Sequence, residues 1–304
     1  MSTALAPFDR HRRLLFGVAY QMLGSVADAE DVVQDAWLRW SAADRADVAD
    51  ERAYLVRITT RLALDRLASA QARRESYVGP WLPEPLLTGR EPVGSGPPAP
   101  EPDAAAELGE RVSLALLVVL ETLSPAERAV FVLREVFGMS AAEVAGALGR
   151  SEAAVRQMAH RAREHVQARQ PRFDADRRAQ QEVTERFLAA CVGGDVEALL
   201  AALAPDVVLI SDGGGKAKAA LRPISGADKV ARFIVATASA GMAFPDLRVA
   251  ITDVNGVPAV VAWTGTEPLL SMSLVVADGR VQQVLIMRNP DKLRGLGEGP
   301  PSHT

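Results

Sequence analysis

Cysteine is almost absent from this chain of 304 residues, in which Cys191 is the only one. A single thiol cannot form an intrachain disulfide, so the composition excludes a disulfide-stapled fold and predicts a reducing compartment, the cytoplasm. Histidine is also scarce, and none of the 4 histidines is paired with cysteine or carboxylate at the spacing of a metal site. We therefore predict neither a metal nor a cofactor.

Long apolar runs are missing, although 48% of the residues are apolar. No window approaches the ~18 uninterrupted apolar residues of a membrane span, so no membrane contact is expected. The first residues, MSTALAPFDRHRR, contain no signal-peptide core. Excess positive charge is missing too, because the net charge is −4. Phosphate contacts supply most non-specific DNA affinity, so a DNA-binding function would need a larger partner to supply much of that affinity.

Three helices are predicted between residues 123 and 167, because three serines stand at N-cap positions. The first two serines are followed three residues later by glutamate, as in a capping box, and Gly149 ends the middle helix after about two to three turns. A short helix, a tight turn and a longer helix are typical of a helix-turn-helix. The three capping serines are Ser124, Ser140 and Ser151.

The third of these helices has an apolar face and a positive face. Val155, Ala159, Ala162 and Val166 recur at helical spacing and should point inward. Arginine and glutamine on the other face can read guanine and adenine in the major groove. A solvated amphipathic helix is the alternative, and the two capped helix starts favour DNA binding. The candidate DNA contacts are Ser151, Glu152, Arg156, Gln157, His160, Arg161 and Arg163.

Residues 8–75 should form three helices that carry opposite charges. Acidic residues crowd the first two turns of the helix that begins near Asp28. Two of them suit the helix macrodipole, and four favour a docking surface for a basic protein. The next helix is rich in arginine, which favours contact with nucleic acid. The candidate docking residues are Asp28, Glu30, Asp31, Asp35 and Trp37.

The segments AEDVVQDAWLRW and RAYLVRITTRLALDRL resemble region 2 of extracytoplasmic-function sigma factors of the sigma-70 family, and residues 123–167 resemble their region 4. The resemblance implies core RNA polymerase as partner, bound at its β′ clamp helices and β flap. It also implies that region 2 melts and reads the minus-10 element and that region 4 reads the minus-35 element. Many members have asparagine where this chain has Arg61, which bears on the minus-10 preference. The implied minus-10 contacts are Arg45, Arg52, Arg57, Thr60, Arg61 and Arg66.

A Pro/Gly-rich linker separates the two regions, and it contains the apolar stretch YVGPWLPEPLL. A flexible tether has no reason to expose Trp81 and Leu82. Either the stretch packs locally on region 2, or it is an extended docking peptide.

The last part of the chain predicts an α+β domain, with helices at Val183–Cys191, Val196–Leu203 and Ala227–Ala238 packed on a curved antiparallel sheet. The sequence ADGR indicates a hairpin. The predicted strands are Val207–Asp212, Ala219–Ile224, LRVAITDV, PAVVAWTG, LLSMSLVVADG and VQQVLIMRN.

The order of these elements resembles the SnoaL-like branch of the NTF2-like fold, which forms a cone. Sigma factors with this appendix form a subgroup whose marks are present as WLPEP, DGGGK and NPDKL. The resemblance implies that these motifs make regulatory contacts. The residues concerned are Trp81, Leu82, Pro83, Glu84, Pro85, Asp212, Gly213, Gly214, Gly215, Lys216, Asn289, Pro290, Asp291, Lys292 and Leu293.

Catalysis is not expected from the last domain, and we name no catalytic residue. It has no histidine before the tail residue His303, and no nucleophile–base pair is visible. DGGGK does not match a phosphate-binding loop and is predicted to be a glycine turn. Its pocket could hold an unidentified small ligand. The carboxylates that are candidates by position alone are Asp212, Asp246, Asp253 and Glu267.

These observations predict a multidomain, monomeric promoter-specificity subunit that is regulated in cis by its own C-terminal domain. Its fold would combine two all-α sigma domains, a region 2 helical bundle and a region 4 helix-turn-helix, with an α+β SnoaL-like cone. A free-standing, ligand-responsive helix-turn-helix regulator is the alternative. The predicted boundaries are 1–76 for region 2, 77–106 for the linker, 107–172 for region 4, 173–295 for the SnoaL-like domain and 296–304 for a disordered tail.

Overall fold

The computed structural model describes residues 5–43, 48, 50–88, 113–169, 177–241, 243–244 and 246–297. They divide between two compact units. The N-terminal unit takes its described residues from 5–75 and 116–169, and the C-terminal unit takes most of its own from 76–88 and 177–297. Arg45 and residues 89–106 of the predicted linker lie outside the described residues.

Three helices form the first part of the N-terminal unit, as predicted. The apolar stripe of the first helix is buried from Leu14 to Met22. Gly24 ends that helix with a φ of +67°, and the Ser25 hydroxyl caps the second helix by accepting the Asp28 amide at 3.2 Å. The three helices are α1 (Leu5–Leu23), α2 (Val26–Ala42) and α3 (Glu51–Glu75).

The helix-turn-helix prediction is confirmed in its caps and in its buried face. The Ser140 hydroxyl accepts the Glu143 amide at 3.2 Å, and the Glu143 carboxylate accepts the Ser140 amide at 2.7 Å. Gly149 ends the middle helix with a φ of +63°. The apolar face of the last helix, from Val155 to Val166, is buried. The helices are α4 (Leu114–Leu120), α5 (Pro125–Phe131), a π-helix (Val132–Val136) that the sequence did not predict, α6 (Ala141–Leu148) and α7 (Glu152–Arg169).

The C-terminal unit is an α+β domain built on a six-stranded sheet. Its elements are α8 (Arg177–Gly193), α9 (Val196–Ala202), β1 (Leu203–Asp212), β2 (Ile224–Ser225), α10 (Ala227–Gly241), β3 (Leu247–Val254), β4 (Val257–Thr264), β5 (Glu267–Ala277), β6 (Arg280–Met287), α11 (Pro290–Leu293) and a 3₁₀ turn (Arg294–Leu296). The strand order is β2-β1-β6-β5-β4-β3. One face of the sheet packs on the helices around Phe187, Leu199, Ile234 and Met272. The predicted fold class of two helical domains and one α+β domain is thereby confirmed.

Two details of the sheet correct the predictions. The sheet is mixed, because β1 and β6 are parallel and the other neighbours are antiparallel. The predicted strand Ala219–Ile224 is wrong except at Ile224, which pairs with Leu209. Pro223 cannot donate a ladder hydrogen bond, and Leu221 is 68% exposed, so this segment does not join a sheet.

Tight turns connect β3 to β4 and β5 to β6. Asp278 and Gly279 both have positive φ, of +51° and +69°, and join β5 to β6 at the predicted ADGR hairpin. Asn255 and Gly256 join β3 to β4 in the same way, with φ of +53° and +74°. After β6 the chain turns into α11, and Leu296 is buried. The predicted disordered tail is therefore wrong at Leu296, and residues 298–304 lie outside the described residues.

Two searches of the described residues concern membranes and metals. None of the described helices combines the length and the apolar character needed to cross a bilayer. Within the same residues, no three or more histidine, cysteine, aspartate or glutamate side chains are grouped as a metal site would require.

Ser140→Ala removes the hydroxyl that caps α6. We expect it to lower the free energy of unfolding by about 1 kcal/mol at neutral pH, measured by urea unfolding of the helical circular dichroism signal. The Ser140 hydrogen bonds, with a smaller effect of Arg52, hold the pKa of Glu143 below its ordinary value. Because the folded pKa is lowered, this stabilisation is present above the unfolded pKa of about 4.3 and is lost as the pH falls through the folded value.

Ser69→Ala is the control, because Ser69 is exposed within α3 and alanine favours helices. We expect it not to lower the stability at any pH. A cost of Ser140→Ala that stays constant from about pH 7 to about pH 3 would contradict the assigned role of Glu143.

Candidate functional site and nucleic-acid surfaces

Asp212 lies at the end of β1, is fully buried, and binds the linker. Its carboxylate accepts the Tyr77 hydroxyl at 2.7 Å and the backbone amide of Leu82 at 2.9 Å. The same carboxylate accepts the Lys292 ammonium, from α11, at 2.7 Å. Two of these three donors come from the linker and one from the end of the domain, so a single buried carboxylate joins three separate segments of the chain.

The positive charge of Lys292 balances the negative charge of the buried Asp212 carboxylate. Its ammonium also donates to the Leu82 carbonyl at 2.7 Å. It stands 4.2 Å from the ring centre of Trp81 and 4.7 Å from that of Tyr77, within the range of cation–π attraction. Because a buried charge is costly unless it is paired and hydrogen-bonded, these contacts explain how the lysine is accommodated with 8% exposure.

Asn289 connects the same residues to α11. Its side-chain amide donates to the Tyr77 hydroxyl at 2.7 Å and its carbonyl oxygen accepts the Asp291 amide at 3.1 Å. Burial and the Asp212 carboxylate raise the pKa of Tyr77 well above its ordinary value, so the phenol stays protonated as a donor. We call this set the linker junction: Tyr77, Trp81, Leu82, Asp212, Asn289 and Lys292.

The glycines after Asp212 are required by the closeness of these contacts. Gly214 has a φ of +57°, and a Cβ there would lie 2.3 Å from the Asn289 amide nitrogen and 2.8 Å from the Tyr77 hydroxyl. A Cβ at Gly213 would lie 2.2 Å from the Ala217 carbonyl oxygen. DGGGK is therefore the glycine turn that the sequence predicted, and any side chain at these two positions would displace the linker junction or the turn.

The linker is held a second time at the edge of the sheet. The Leu86 amide donates to the Asn255 side chain at 3.2 Å, and the Asn255 amide donates to the Leu86 carbonyl at 2.8 Å. Leu87 pairs with Val254 as an isolated antiparallel bridge. Of the two alternatives for this stretch, the structure shows a docked peptide on the C-terminal unit rather than packing on region 2.

The predicted regulatory residues do not all enter the linker junction. Leu82, Pro83 and Pro85 are buried, and Glu84 is partly exposed. Lys216 pairs with Asp291 at the surface. Sequence reasoning missed Tyr77 and Asn255; the position of Tyr77 just before WLPEP, within the same apolar stretch, was the available signal. Gly215, Pro290 and Leu293 flank the junction residues in the chain.

The predicted acidic docking surface on α2 is partly used within the N-terminal unit. Asp28 and Asp31 both pair with Arg66 of α3, the former at 2.7 Å. Arg66 is therefore paired within the N-terminal unit, and its minus-10 contact stays a prediction. Glu30 pairs with Arg12, while Asp35 is exposed and Trp37 packs edge-on against Phe8.

The predicted minus-10 residues on α3 are in three different environments. Thr60 is fully buried, because α3 packs against α1, α2 and α6, so a direct DNA contact is wrong for this arrangement. Arg61 donates to the Ala147 carbonyl of α6 at 3.3 Å. Arg52 lies 4.0 Å from Glu143, and the Arg57 guanidinium lies 5.1 Å from the Tyr54 ring centre.

The predicted minus-35 residues remain on the outer face of α7. Arg156, Arg161 and Arg163 each pair with a glutamate of the N-terminal unit at 3.0 to 3.1 Å. Exposed ion pairs of this kind are weak, so the three arginines can exchange these partners for phosphate or base. Ser151 caps α7 through the Ala154 amide at 3.2 Å. The remaining exposed residues of the predicted set are Glu152, Gln157 and His160.

The four carboxylates that are catalytic candidates by position differ in their surroundings. Asp212 belongs to the linker junction and Asp253 pairs with Arg177. Asp246 and Glu267 are exposed at the starts of β3 and β5.

Comparison with known families matches the whole domain order. Family models for Sigma-70 region 2, Sigma-70 region 4 and the SnoaL-like domain match residues 8–73, 113–166 and 184–288. The ECF RNA polymerase sigma factor SigJ of Mycobacterium tuberculosis is 40% identical, and the match covers 96% of this chain and 93% of that protein.

One further relative and one solved structure show the same similarity. The probable ECF RNA polymerase sigma factor SigI of Mycobacterium tuberculosis is 33% identical, covering 96% of this chain and 95% of the relative. The crystal structure of the Mycobacterium tuberculosis extracytoplasmic function sigma factor SigJ matches with a TM-score of 0.74 at 37% identity, covering 96% of this chain and 98% of that one.

Lys292→Met leaves the Asp212 carboxylate buried without its cation. We expect the C-terminal unit to lose about 3–5 kcal/mol of unfolding free energy, the usual cost of breaking a buried ion pair from one side. We also expect faster hydrogen exchange at the Leu82 amide, which donates to that carboxylate. Urea unfolding and exchange mass spectrometry measure the two effects.

Lys216→Met is the matched control, because Lys216 forms its ion pair with Asp291 at the surface. It should change neither measurement appreciably. Equal losses in both variants would show that the buried pair has no special part in holding the linker.

Proposed function

The chain belongs to the extracytoplasmic-function sigma factors of RNA polymerase, and from this we propose that its linker junction regulates promoter recognition in cis. As a member of that family it directs promoter-specific transcription initiation together with core RNA polymerase and promoter DNA. Its relatives are transcription regulators, and we further propose that it has no enzymatic activity, acts as a monomer and works in the cytoplasm, where bacterial polymerase transcribes.

The linker junction is the observation that supports this proposal. The linker connects region 2 to region 4, and residues 76–88 are 13 of the 37 residues that lie between α3 and residue 113. Each residue of extended chain spans at most about 3.6 Å. Docking residues 76–88 on the C-terminal unit therefore shortens the part of the linker that can extend freely. A contact within the C-terminal unit would thus limit how far regions 2 and 4 can separate.

Separation is required because of the distance between the two promoter elements. The minus-10 and minus-35 elements are about 25 base pairs apart, which is roughly 85 Å of B-form DNA. In the structure α3 and α6 touch, with a hydrogen bond of 3.3 Å from Arg61 to the Ala147 carbonyl. Two helices in direct contact cannot serve both elements at once. We infer that this is a closed form and that the regions move apart on polymerase.

The buried contacts between α1, α3 and α5 would hold the closed form. Arg128 of α5 donates to the Gln21 carbonyl of α1 at 3.2 and 3.0 Å, and it pairs with Glu121. Glu121 also pairs with Arg74 of α3. Because the Glu121 carboxylate pairs with arginines of both regions, separation of the regions would expose three charged groups together. Contacts with polymerase would supply the free energy for this separation.

For DNA reading we propose Arg52, Arg57 and Arg61 at the minus-10 element. In the closed form Arg52 and Arg61 contact groups of α6, and separation of the regions would release them. For the minus-35 element we propose Arg156, Gln157, His160, Arg161 and Arg163, with Ser151 and Glu152 at the start of the helix. When these arginines leave their glutamate partners to bind DNA, we expect most of their new hydrogen bonds to go to phosphates rather than to base edges.

Polymerase contact is proposed through α2, at the β′ clamp helices, with a second contact of region 4 at the β flap. Because Asp28, Asp31 and Glu30 already pair with arginines, Asp35 is the acid of this helix best placed for a basic partner. The net charge of −4 makes strong unaided DNA binding unexpected. The free-standing regulator is therefore the weaker alternative.

Asp35→Lys should weaken binding of the full-length protein to core polymerase, because it reverses an exposed charge on the proposed docking helix. Fluorescence anisotropy of labelled protein with core polymerase measures this affinity. Asp206→Lys is the control, since Asp206 is an exposed acid on β1 and the change in net charge is the same. Tight, specific promoter binding by the isolated wild type at about 0.15 M salt would contradict polymerase dependence.

Lys292→Met should broaden the range of spacer lengths between minus-10 and minus-35 elements that the sigma factor uses. The physical reason is that an undocked linker leaves more chain free to extend. Run-off transcription with core polymerase, on promoters whose spacers differ by single base pairs, measures the range.

Lys216→Met should keep the wild-type spacer profile in the same assay. If both variants match the wild type at every spacer length while Lys292→Met has released the linker in hydrogen exchange, regulation through the linker junction is refuted. The identity of the protein as a sigma factor would not be affected by that outcome.

A further inference from the structure

A cavity of about 630 Å³ lies between the sheet and the helices of the C-terminal unit. Its wall is mainly apolar, with contributions from α8, α10 and five strands, β1, β3, β4, β5 and β6. Representative lining residues are Leu188, Phe233, Leu270, Met272 and Ile286. Pockets for small molecules have volumes of roughly 300–1,000 Å³ and mostly apolar walls, so this cavity has the size and lining of a binding site.

Arg288 is the unusual residue of this wall. It follows β6 in the register of Val284 and Ile286, which face the same side of the sheet, and it lines the cavity. Its Nε atom is covered from solvent and has no hydrogen-bond partner among the described residues. No carboxylate among the described residues forms an ion pair with it. Burial lowers the pKa of the Arg288 guanidinium, the direction expected for a cation without a matching anion.

The other polar groups of the wall already have partners or are exposed. The Ser211 hydroxyl accepts the Ala220 amide at 2.8 Å, and the Thr237 hydroxyl donates to the Phe233 carbonyl at 2.8 Å. Lys218, which also lines the cavity, is exposed to solvent. Arg288 therefore differs from these side chains, because its Nε atom is covered from solvent and lacks a hydrogen-bond partner among the described residues.

The cavity is suited to binding rather than to covalent chemistry. Burial raises the pKa of the Cys191 thiol to about 12, so this side chain is not a thiolate nucleophile near neutral pH. No histidine lines the cavity. An apolar wall with one partly buried cation favours an apolar molecule that carries one negative charge.

We propose that this cavity binds a small apolar monocarboxylic acid, with its carboxylate on the Arg288 guanidinium and its hydrocarbon part against the apolar wall. Arginine and carboxylate form paired, charge-assisted hydrogen bonds. A bound carboxylate would therefore give the Arg288 Nε atom the hydrogen-bond partner that it lacks among the described residues. The site goes beyond the proposed function, and its test requires neither polymerase nor DNA.

Its position makes such a site relevant to the linker. The backbone amides of Arg288 and Asn289 both donate to the Asp212 carbonyl, at 2.7 and 2.9 Å. Arg288 thus faces the cavity while the next residue belongs to the linker junction. An acid bound at Arg288 would contact the same short segment that holds the linker.

The experiment uses the full-length protein and two ten-carbon probes, decanoate and uncharged 1-decanol. Isothermal titration calorimetry should show that decanoate binds and that Arg288→Met weakens its affinity about tenfold or more. The same variant should bind 1-decanol as the wild type does. Without any probe, Arg288→Met should melt no lower than the wild type, because it removes a partly buried cation that has no ion-pair partner among the described residues.

Arg280→Met is the matched control, since Arg280 is exposed at the other end of β6. It should leave decanoate affinity unchanged. The proposal is overturned if decanoate does not bind, or if Arg280→Met and Arg288→Met weaken it equally. It is also overturned if Arg288→Met leaves decanoate affinity intact, because the cation would then not select the acid.

Discussion

The buried ion pair between Asp212 and Lys292 is the contact on which the arrangement of the linker depends. Each partner alone would be a costly buried charge, and each also bonds the backbone of Leu82. The pair therefore cannot be satisfied fully unless the linker is in place. This makes docking of the linker part of the folding of the C-terminal unit, and it explains why the Tyr77 and Trp81 rings both contact the same ammonium group.

Features encoded by neighbouring residues could be predicted from the sequence. The capping box of Ser140 and Glu143, the left-handed Gly149 and the hairpin at Asp278 and Gly279 each rest on a few adjacent positions. The buried faces of the helices follow from helical spacing in the same way. The meeting of WLPEP, DGGGK and NPDKL came from family resemblance, whereas its physical cause, a shared buried carboxylate, is visible only in the structure.

Features that depend on distant residues could not be predicted. Nothing near Arg66 in the sequence shows that Asp28 and Asp31 are its partners. Thr60 is buried because α3 packs on two sides, which helical spacing alone does not show. β1 and β6 are the first and last strands of this unit along the chain, so their parallel pairing is not visible in neighbouring residues. The segment before Ile224 does not form the predicted strand because it contains Pro223 and the exposed Leu221.

The place of Lys292 near the end of the chain has a consequence for newly made protein. Lys292 is translated 210 residues after Leu82, its hydrogen-bond partner. At roughly 5–20 residues per second, the ribosome needs about 10–40 s to cover that distance, and N-terminal domains fold first. Every molecule therefore passes through an interval in which regions 2 and 4 exist while the linker has no site to dock on. During that interval the nascent chain has regions 2 and 4 without the docked linker that the finished protein has.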